Sequence, residues 1–155
     1  MPTANKRILV VYHSQGGTME RLAYRFAQGA ALELAIAVDL KRAQDATVDD
    51  LLHCNAIAIG SPEYFGTMAG MIKDFFDRTY ALAQDKTIGL PFVCFVCAGN
   101  DGRGALAQME RIIAGYKWRQ VLEHQRIVGP PTDEDFTRIE ELGHTLAAGL
   151  DLGIF

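Results

Sequence analysis

The sequence predicts an α/β fold: an open, doubly wound sheet of five parallel strands in the order 2-1-3-4-5, with helices on both faces. Three observations predict it. Short apolar runs alternate with amphipathic stretches five times along the chain, the pattern of repeated βα units. The best of those runs are continuous, as expected of strands covered on both faces. At 155 residues the chain suits one domain spanning 1–155, and five βα units are too few for a (β/α)₈ barrel. Right-handed crossovers then put helices on both sides, giving three layers, and 2-1-3-4-5 is the common order for five strands.

Ile8, Leu9, Val10, Val11 and Tyr12 form the first strand. After a turn, Met19, Leu22, Ala23, Phe26 and Ala27 recur at helical spacing. Residues 34–40 make a second strand weakened by alanines, and residues 48–52 suit a short helix. Ala56, Ile57, Ala58 and Ile59 form the third strand, closed by Gly60-Ser61-Pro62. A helix over about 69–83 has Met71, Ile72, Phe75, Phe76, Thr79 and Tyr80 as its inner stripe. Residues 92–97 form the fourth strand, and Leu106, Met109, Ile112, Ile113 and Tyr116 mark the next helix. Residues 121–128 form a less regular fifth strand, stopped by Pro130-Pro131. Thr132 with Asp135 then caps a last helix that turns Phe136, Ile139, Leu142, Leu146 and Leu150 inward.

Composition excludes several classes. The hydrophobic fraction of 49% and charged fraction of 22% are those of an ordinary globular protein. A net charge of -4 without basic blocks argues against a nucleic-acid partner. No apolar run approaches the roughly 20 residues needed to cross a bilayer. Residues 1–7 lack the apolar segment of a signal peptide, so a cytoplasmic location is expected.

Cys94 and Cys97 form a C-x-x-C, but inside a strand, where residues three apart face opposite ways. A redox C-x-x-C opens a helix instead. These two and Cys54 read as inert buried thiols. His53, His124 and His144 have no metal-ligand spacing, so no metal is expected.

In doubly wound sheets ligands bind beyond the carboxyl ends of the strands, where strand order reverses. Three unusual loops fall there. The first is His13-Ser14-Gln15-Gly16-Gly17-Thr18. Its glycines admit close approach, its hydroxyls donate, and the next helix aims free N–H groups outward. That is an anion site needing no Lys or Arg, and it matches neither a Walker loop nor G-x-G-x-x-G. The second runs from Gly60 to Gly70 and carries Tyr64 and Phe65 between glycines, aromatic faces that could stack on a flat ring. The third, Ala98-Gly99-Asn100-Asp101-Gly102-Arg103-Gly104, lets a planar group pass close to its backbone. The inferred ligand is anionic at one end and flat at the other.

At these residues the chain resembles the flavodoxin superfamily, most closely the NAD(P)H-dependent FMN reductases and WrbA-type quinone reductases. Residues 12–18 look like the family's FMN-phosphate loop, and Gly60-Ser61-Pro62 through Gly70, with residues 73–78, resembles the reductase form of the second loop. The resemblance implies a flavodoxin-like fold with FMN as cofactor and NADPH or NADH as donor. Ser14, Gln15, Gly16, Gly17, Thr18 and Met19 would cradle the phosphate. Pro62, Glu63, Tyr64, Phe65 and Gly66 would lie along the isoalloxazine, and Ala98, Gly99, Asn100, Asp101 and Gly102 would close its other side. Lys73, Asp74 and Arg78 look like helix-surface or ion-pair residues.

The implied activity passes electrons from NAD(P)H through FMN to a quinone or similar small-molecule acceptor, with no side chain required as nucleophile or strong base. The alternative is a flavodoxin-type electron carrier without NAD(P)H oxidation. Such carriers usually have an aromatic in the third loop and are strongly acidic, and this chain has neither feature. WrbA-type enzymes carry an insertion near the fourth and fifth strands that helps build a tetramer; this chain is too short for most of it. Members of the group are often homodimers or homotetramers, and the tail Leu152-Gly153-Ile154-Phe155 packs either on the body or on a neighbour. A phospho-acceptor receiver, which shares the strand order, needs acids after strand one and an Asp ending strand three; Tyr12-His13-Ser14 and Gly60-Ser61 stand there instead.

Overall fold

Continuous apolar runs become central strands here because each is covered twice. The computed structural model describes residues 5–155; residues 1–4, on which part of the signal-peptide reading rests, lie outside the described residues. The elements are β1 (Lys6–Tyr12), α1 (Thr18–Ala30), β2 (Ile36–Arg42), α2 (Val48–His53), β3 (Ala56–Tyr64), β4 (Thr67–Met68), α3 (Gly70–Ala83), β5 (Pro91–Ala98), α4 (Arg103–Tyr116), β6 (Arg119–Gln120), β7 (Gln125–Val128) and α5 (Asp133–Asp151). The sheet runs β2-β1-β3-β5-β6, with β7 beside β5 further along and β4 turned back on β3. This is the expected 2-1-3-4-5 order, its fifth position shared by β6 and β7. β1 pairs parallel with β2 from Lys6↔Ile36 to Tyr12↔Arg42, and with β3 from Ile8↔Ala56 to Tyr12↔Gly60.

Alternate strand residues feed two cores. Leu9, Val11, Ile57, Ile59, Cys94 and Val96 face α3 and α4, with Phe75, Phe76, Met109 and Tyr116. Ile8, Val10, Ala58, Val93, Phe95 and Cys97 face α1 and α5, with Leu22, Phe26, Ile139 and Leu146. Cys94 and Cys97 therefore do point to opposite sides. All three cysteines are free and buried. Burial pushes the Cys54 thiol up to about 12 and that of Cys97 to about 11. α1 lies so close along α5 that a Cβ at Gly29 would overlap the Glu140 carbonyl, and one at Gly143 the Phe26 carbonyl. Thr132 and Asp135 form the expected cap: Asp135 N–H donates to Thr132 Oγ1 at 3.1 Å, and Thr132 N–H to Asp135 Oδ2 at 2.9 Å.

Three details differ from expectation, and the C-terminal tail takes one of the two packings left open to it. β2 begins at Ile36, and Leu34 is exposed. Met71 and Tyr80 leave the inner stripe of α3 and are exposed, while Ile72, Phe75, Phe76 and Thr79 stay inside. The C-terminal tail divides: Phe155 packs on Gly149 of α5, whereas Leu152 and Ile154 face outward. The fifth strand is broken. β6 pairs with Pro91 and Phe92, β7 with Phe95 to Ala98, and between them Cys94 N–H donates to His124 Nδ1 at 3.0 Å. An imidazole thus replaces one rung of the ladder. Accepting at Nδ1 requires the neutral ring with its proton on Nε2, which lies 3.5 Å from Glu110 Oε1. Burial holds the His124 pKa below its ordinary value, with Glu110 opposing. Among the described residues, no helix is long and apolar enough to cross a membrane.

Candidate functional site

The carboxyl ends of β1, β3, β5 and β7 meet at one edge and enclose a cleft of about 460 Å³, the size class that takes one cofactor. Its first wall is the 13–18 loop. Gly17 caps α1 with a left-handed backbone (φ 98°), and no side chain caps the helix; Thr18 is its first residue. Ser14 Oγ accepts the Gly17 N–H at 3.1 Å, so its own proton is free to point outward. A Cβ on Gly16 or Gly17 would meet no atom within 4 Å. Open space in front of unpaired helix N–H groups is what an anion fills.

The site has cations that the sequence reading did without. Arg42, at the end of β2, donates to the Ser14 carbonyl at 3.3 Å, pairs with Glu20 at 2.6 Å and lies over the Tyr12 ring. Arg21 reaches the rim from α1 with its guanidinium 5.6 Å from the Phe136 ring centre. His13 sits behind the loop, edge-on to Tyr64, with Nδ1 buried and unpartnered. Burial first, and Arg42 second, hold its pKa below the ordinary value.

The second wall is not a loop but the end of β3. Pro62, Glu63 and Tyr64 continue the strand, Phe65 and Gly66 turn with φ of 54° and 73°, and β4 returns antiparallel through Glu63↔Met68. Positive φ at both central residues is the pattern of a type I′ hairpin. Gly60 accepts from His13 and so faces β1; Pro62 faces the same way, but β1 has ended, and its missing N–H costs no ladder bond. Buried Ser61 accepts the Ala69 N–H at 3.0 Å, tying the start of α3 to the strand. From the far side α4 clamps the hairpin. Ala105 N–H donates to Glu63 Oε2 at 3.0 Å, and Met68 N–H to Gln108 Oε1 at 3.1 Å. A Cβ on Gly104 would overlap the Gly66 carbonyl.

Of the residues expected at the site, Ser14, Gln15, Gly16, Thr18, Met19, Pro62, Glu63, Tyr64, Ala98 and Gly99 line the cleft. Gly17, Phe65, Gly66, Asn100, Asp101 and Gly102 do not. Gly17 forms the helix cap behind the wall, and Phe65 is fully exposed at the hairpin tip. Asp101 accepts the Arg103 N–H and its carbonyl receives Arg126, while Gly102 is the residue that precedes α4. Sequence reasoning missed Arg21, Cys97, Gly129, Pro130 and Pro131, which also line the cleft. Pro130 and Pro131 read only as a strand stop, and Gly129 carried no reading at all. Yet β7 lies beside β5, and Gly129 N–H donates to Ala98 O at 2.8 Å, so a fourth loop reaches the same edge.

The fold and its sheet-end cleft define a flavodoxin-like protein: a flavodoxin from the domain Archaea superposes with a TM-score of 0.84 over 94% of this chain and 99% of its own, at 24% identity. The profile of the NADPH-dependent FMN reductases matches residues 38–130, more than half of the chain, and the chain belongs to that family. It is 35% identical over 119 residues to an NAD(P)H dehydrogenase (quinone) of Acidithiobacillus ferrooxidans, a match covering 63% of this chain and 60% of the relative. It is 34% identical over 98 residues to a flavodoxin of Aquifex aeolicus, covering 63% of this chain and 53% of that one. The chain thus spans only part of the length of these curated relatives.

Proposed function

We propose that this chain binds FMN in the sheet-end cleft and passes electrons from NAD(P)H to a quinone or similar small acceptor. The uncapped α1 terminus, opening on the space before Gly16 and Gly17 and facing Pro62 and Tyr64 across the cleft, carries the reading. The residues present fit the group. Ser14 and Thr18 supply hydroxyls and the loop supplies N–H groups for a phosphate, with Arg21 and Arg42 adding positive charge nearby. Tyr64, Pro62, Ala98 and Gly99 supply flat and backbone surface for a ring, while Pro130 and Pro131 form a wall without N–H donors. When bound, FMN supplies the redox chemistry, taking a hydride from NAD(P)H and giving two electrons to the acceptor. The protein's part is to bind, orient and exclude water. His13 is half-buried behind the loop, its backbone N–H tied to the Gly60 carbonyl and its pKa held below the ordinary value by burial and Arg42, and no proton transfer is assigned to it.

Family membership and the quinone dehydrogenase relative support an enzyme; the flavodoxin relative supports a carrier using the same cleft. Visible absorption of the protein after incubation with FMN and gel filtration tests the cofactor, and anaerobic addition of NAD(P)H tests the activity. A retained flavin spectrum near one per chain, bleached by NAD(P)H and restored by quinone, is expected. Retained FMN that NAD(P)H does not bleach makes the chain a carrier. Failure to take up FMN at high concentration removes both.

A further inference from the structure

Behind the hairpin, on the side away from the first cleft, lies a larger cavity of about 650 Å³. Tyr64, Phe65 and Met68 bound it from the hairpin, Lys73 from α3, and Arg111 and Ile112 from α4. Folding accounts poorly for three of its features. Phe65 holds a left-handed backbone that bulky residues rarely adopt, yet its ring is fully exposed and gains nothing from packing. Two cations from different helices converge on it in a chain of net charge -4. The neighbouring acids leave them available: Asp74 pairs with Arg78, Glu63 accepts the Ala105 N–H, and the Lys73–Asp77 pair is an exposed i,i+4 contact of little worth. Arg111 makes no ion pair among the described residues.

A flat aromatic beside two cations selects a planar ring that carries phosphate. Tyr64 borders both cavities, so a molecule lying across the hairpin arm reaches both. We propose that this second cavity holds the adenine-nucleotide part of the dinucleotide donor, its phosphates on Arg111 and Lys73 and its purine against Phe65. This rests on the reading that the first cleft holds FMN reduced by NAD(P)H.

ADP-ribose, the donor without its redox ring, is the probe, titrated calorimetrically into the FMN-loaded and the FMN-free protein. Binding that weakens with added salt is expected. In the double variant Arg111→Gln, Lys73→Gln, both exposed positions, ADP-ribose affinity drops by roughly tenfold or more, the size of one charge-assisted hydrogen bond. The donor KM rises by a similar factor while FMN retention stays as in the parent. No binding to the parent protein, an unchanged affinity in the double variant, or a dimer whose formation excludes ADP-ribose would each overturn the proposal. If FMN is not retained but ADP-ribose binds through these two residues, the first-cleft reading fails and the nucleotide site stands.

Discussion

The two long walls of the cleft are built on opposite principles. The 13–18 loop is backbone with space in front of it: Ser14 and Arg42 hold it, and no atom lies within 4 Å of where side chains on Gly16 and Gly17 would begin. The hairpin at 62–68 is held by side chains of another element, with Glu63 and Gln108 spanning the joint and Gly104 fitted under the Gly66 carbonyl. One wall presents N–H dipoles that a charge completes; the other presents a surface whose position is fixed before any ligand arrives. Phosphate recognition tolerates the first arrangement because the free N–H groups of a helix N-terminus already point outward from its end. A ring has no comparable directional handle, so the surface meeting it must be placed in advance.

That contrast can be broken most severely at Gly104. Gly104→Ala drives a Cβ into hairpin backbone that has no flexible side chain to yield, and the protein should lose about 1–3 kcal/mol in urea unfolding, as overpacking does. Flavin affinity should fall with it. Gly17→Ala is the matching test of the other wall. Nothing crowds the new Cβ, but φ of 98° is left-handed, and the conformational cost alone should be about 1–2 kcal/mol. FMN retention should fall with stability, since Gly17 caps α1 and holds the turn that places the cleft-lining Gly16 and Thr18. Glu63→Ala removes one cap of α4 and should cost about 1 kcal/mol, read from the same denaturation curves; Glu63→Gln, which keeps an acceptor, should recover part of it.

The smallest effect is that of pH. The folded-state pKa of His124 lies below its ordinary 6.5, so the native state prefers the neutral ring. Its stabilisation is complete above about 6.5 and is lost as pH falls through the folded value, because the unfolded chain then binds the extra proton. His13 is shifted in the same direction by burial and Arg42. Urea midpoints should therefore drop on mild acidification, and His124→Gln, which can still accept from Cys94 N–H, should lessen the drop without abolishing it.

The sheet order and the first wall were legible because they rest on local rules. Continuous apolar runs such as 8–12 and 92–97, short and rich in β-branched and aromatic residues, read as covered strands, and two glycines between a strand and a helix mark a close approach. The hairpin was hidden by its own chemistry. Ser61-Pro62 reads as a turn, and only the early end of β1 lets a proline continue the strand there. Phe65 and Gly66 read as the middle of a loop because no local rule puts phenylalanine at a left-handed turn position. The broken fifth strand depends on a histidine ring replacing a backbone group, which follows from where residue 124 meets β5 and not from its neighbours in sequence. Pro130-Pro131 was visible only as punctuation; that it borders the cleft with Gly129 follows from the pairing of β7 with β5.

The close seating of α1 on α5 has a bearing on how the molecule is assembled. The two helices are separated by most of the chain, and each leans on the other's backbone through a glycine. Bringing such distant segments together carries the loop-closure entropy of everything between them, which slows folding. During synthesis α1 can form early, but the face it turns toward α5 stays wet until more than a hundred further residues have emerged. The loop at its head, where the phosphate is ascribed, is thus the oldest part of the cleft in order of translation and among the last to acquire a rigid base.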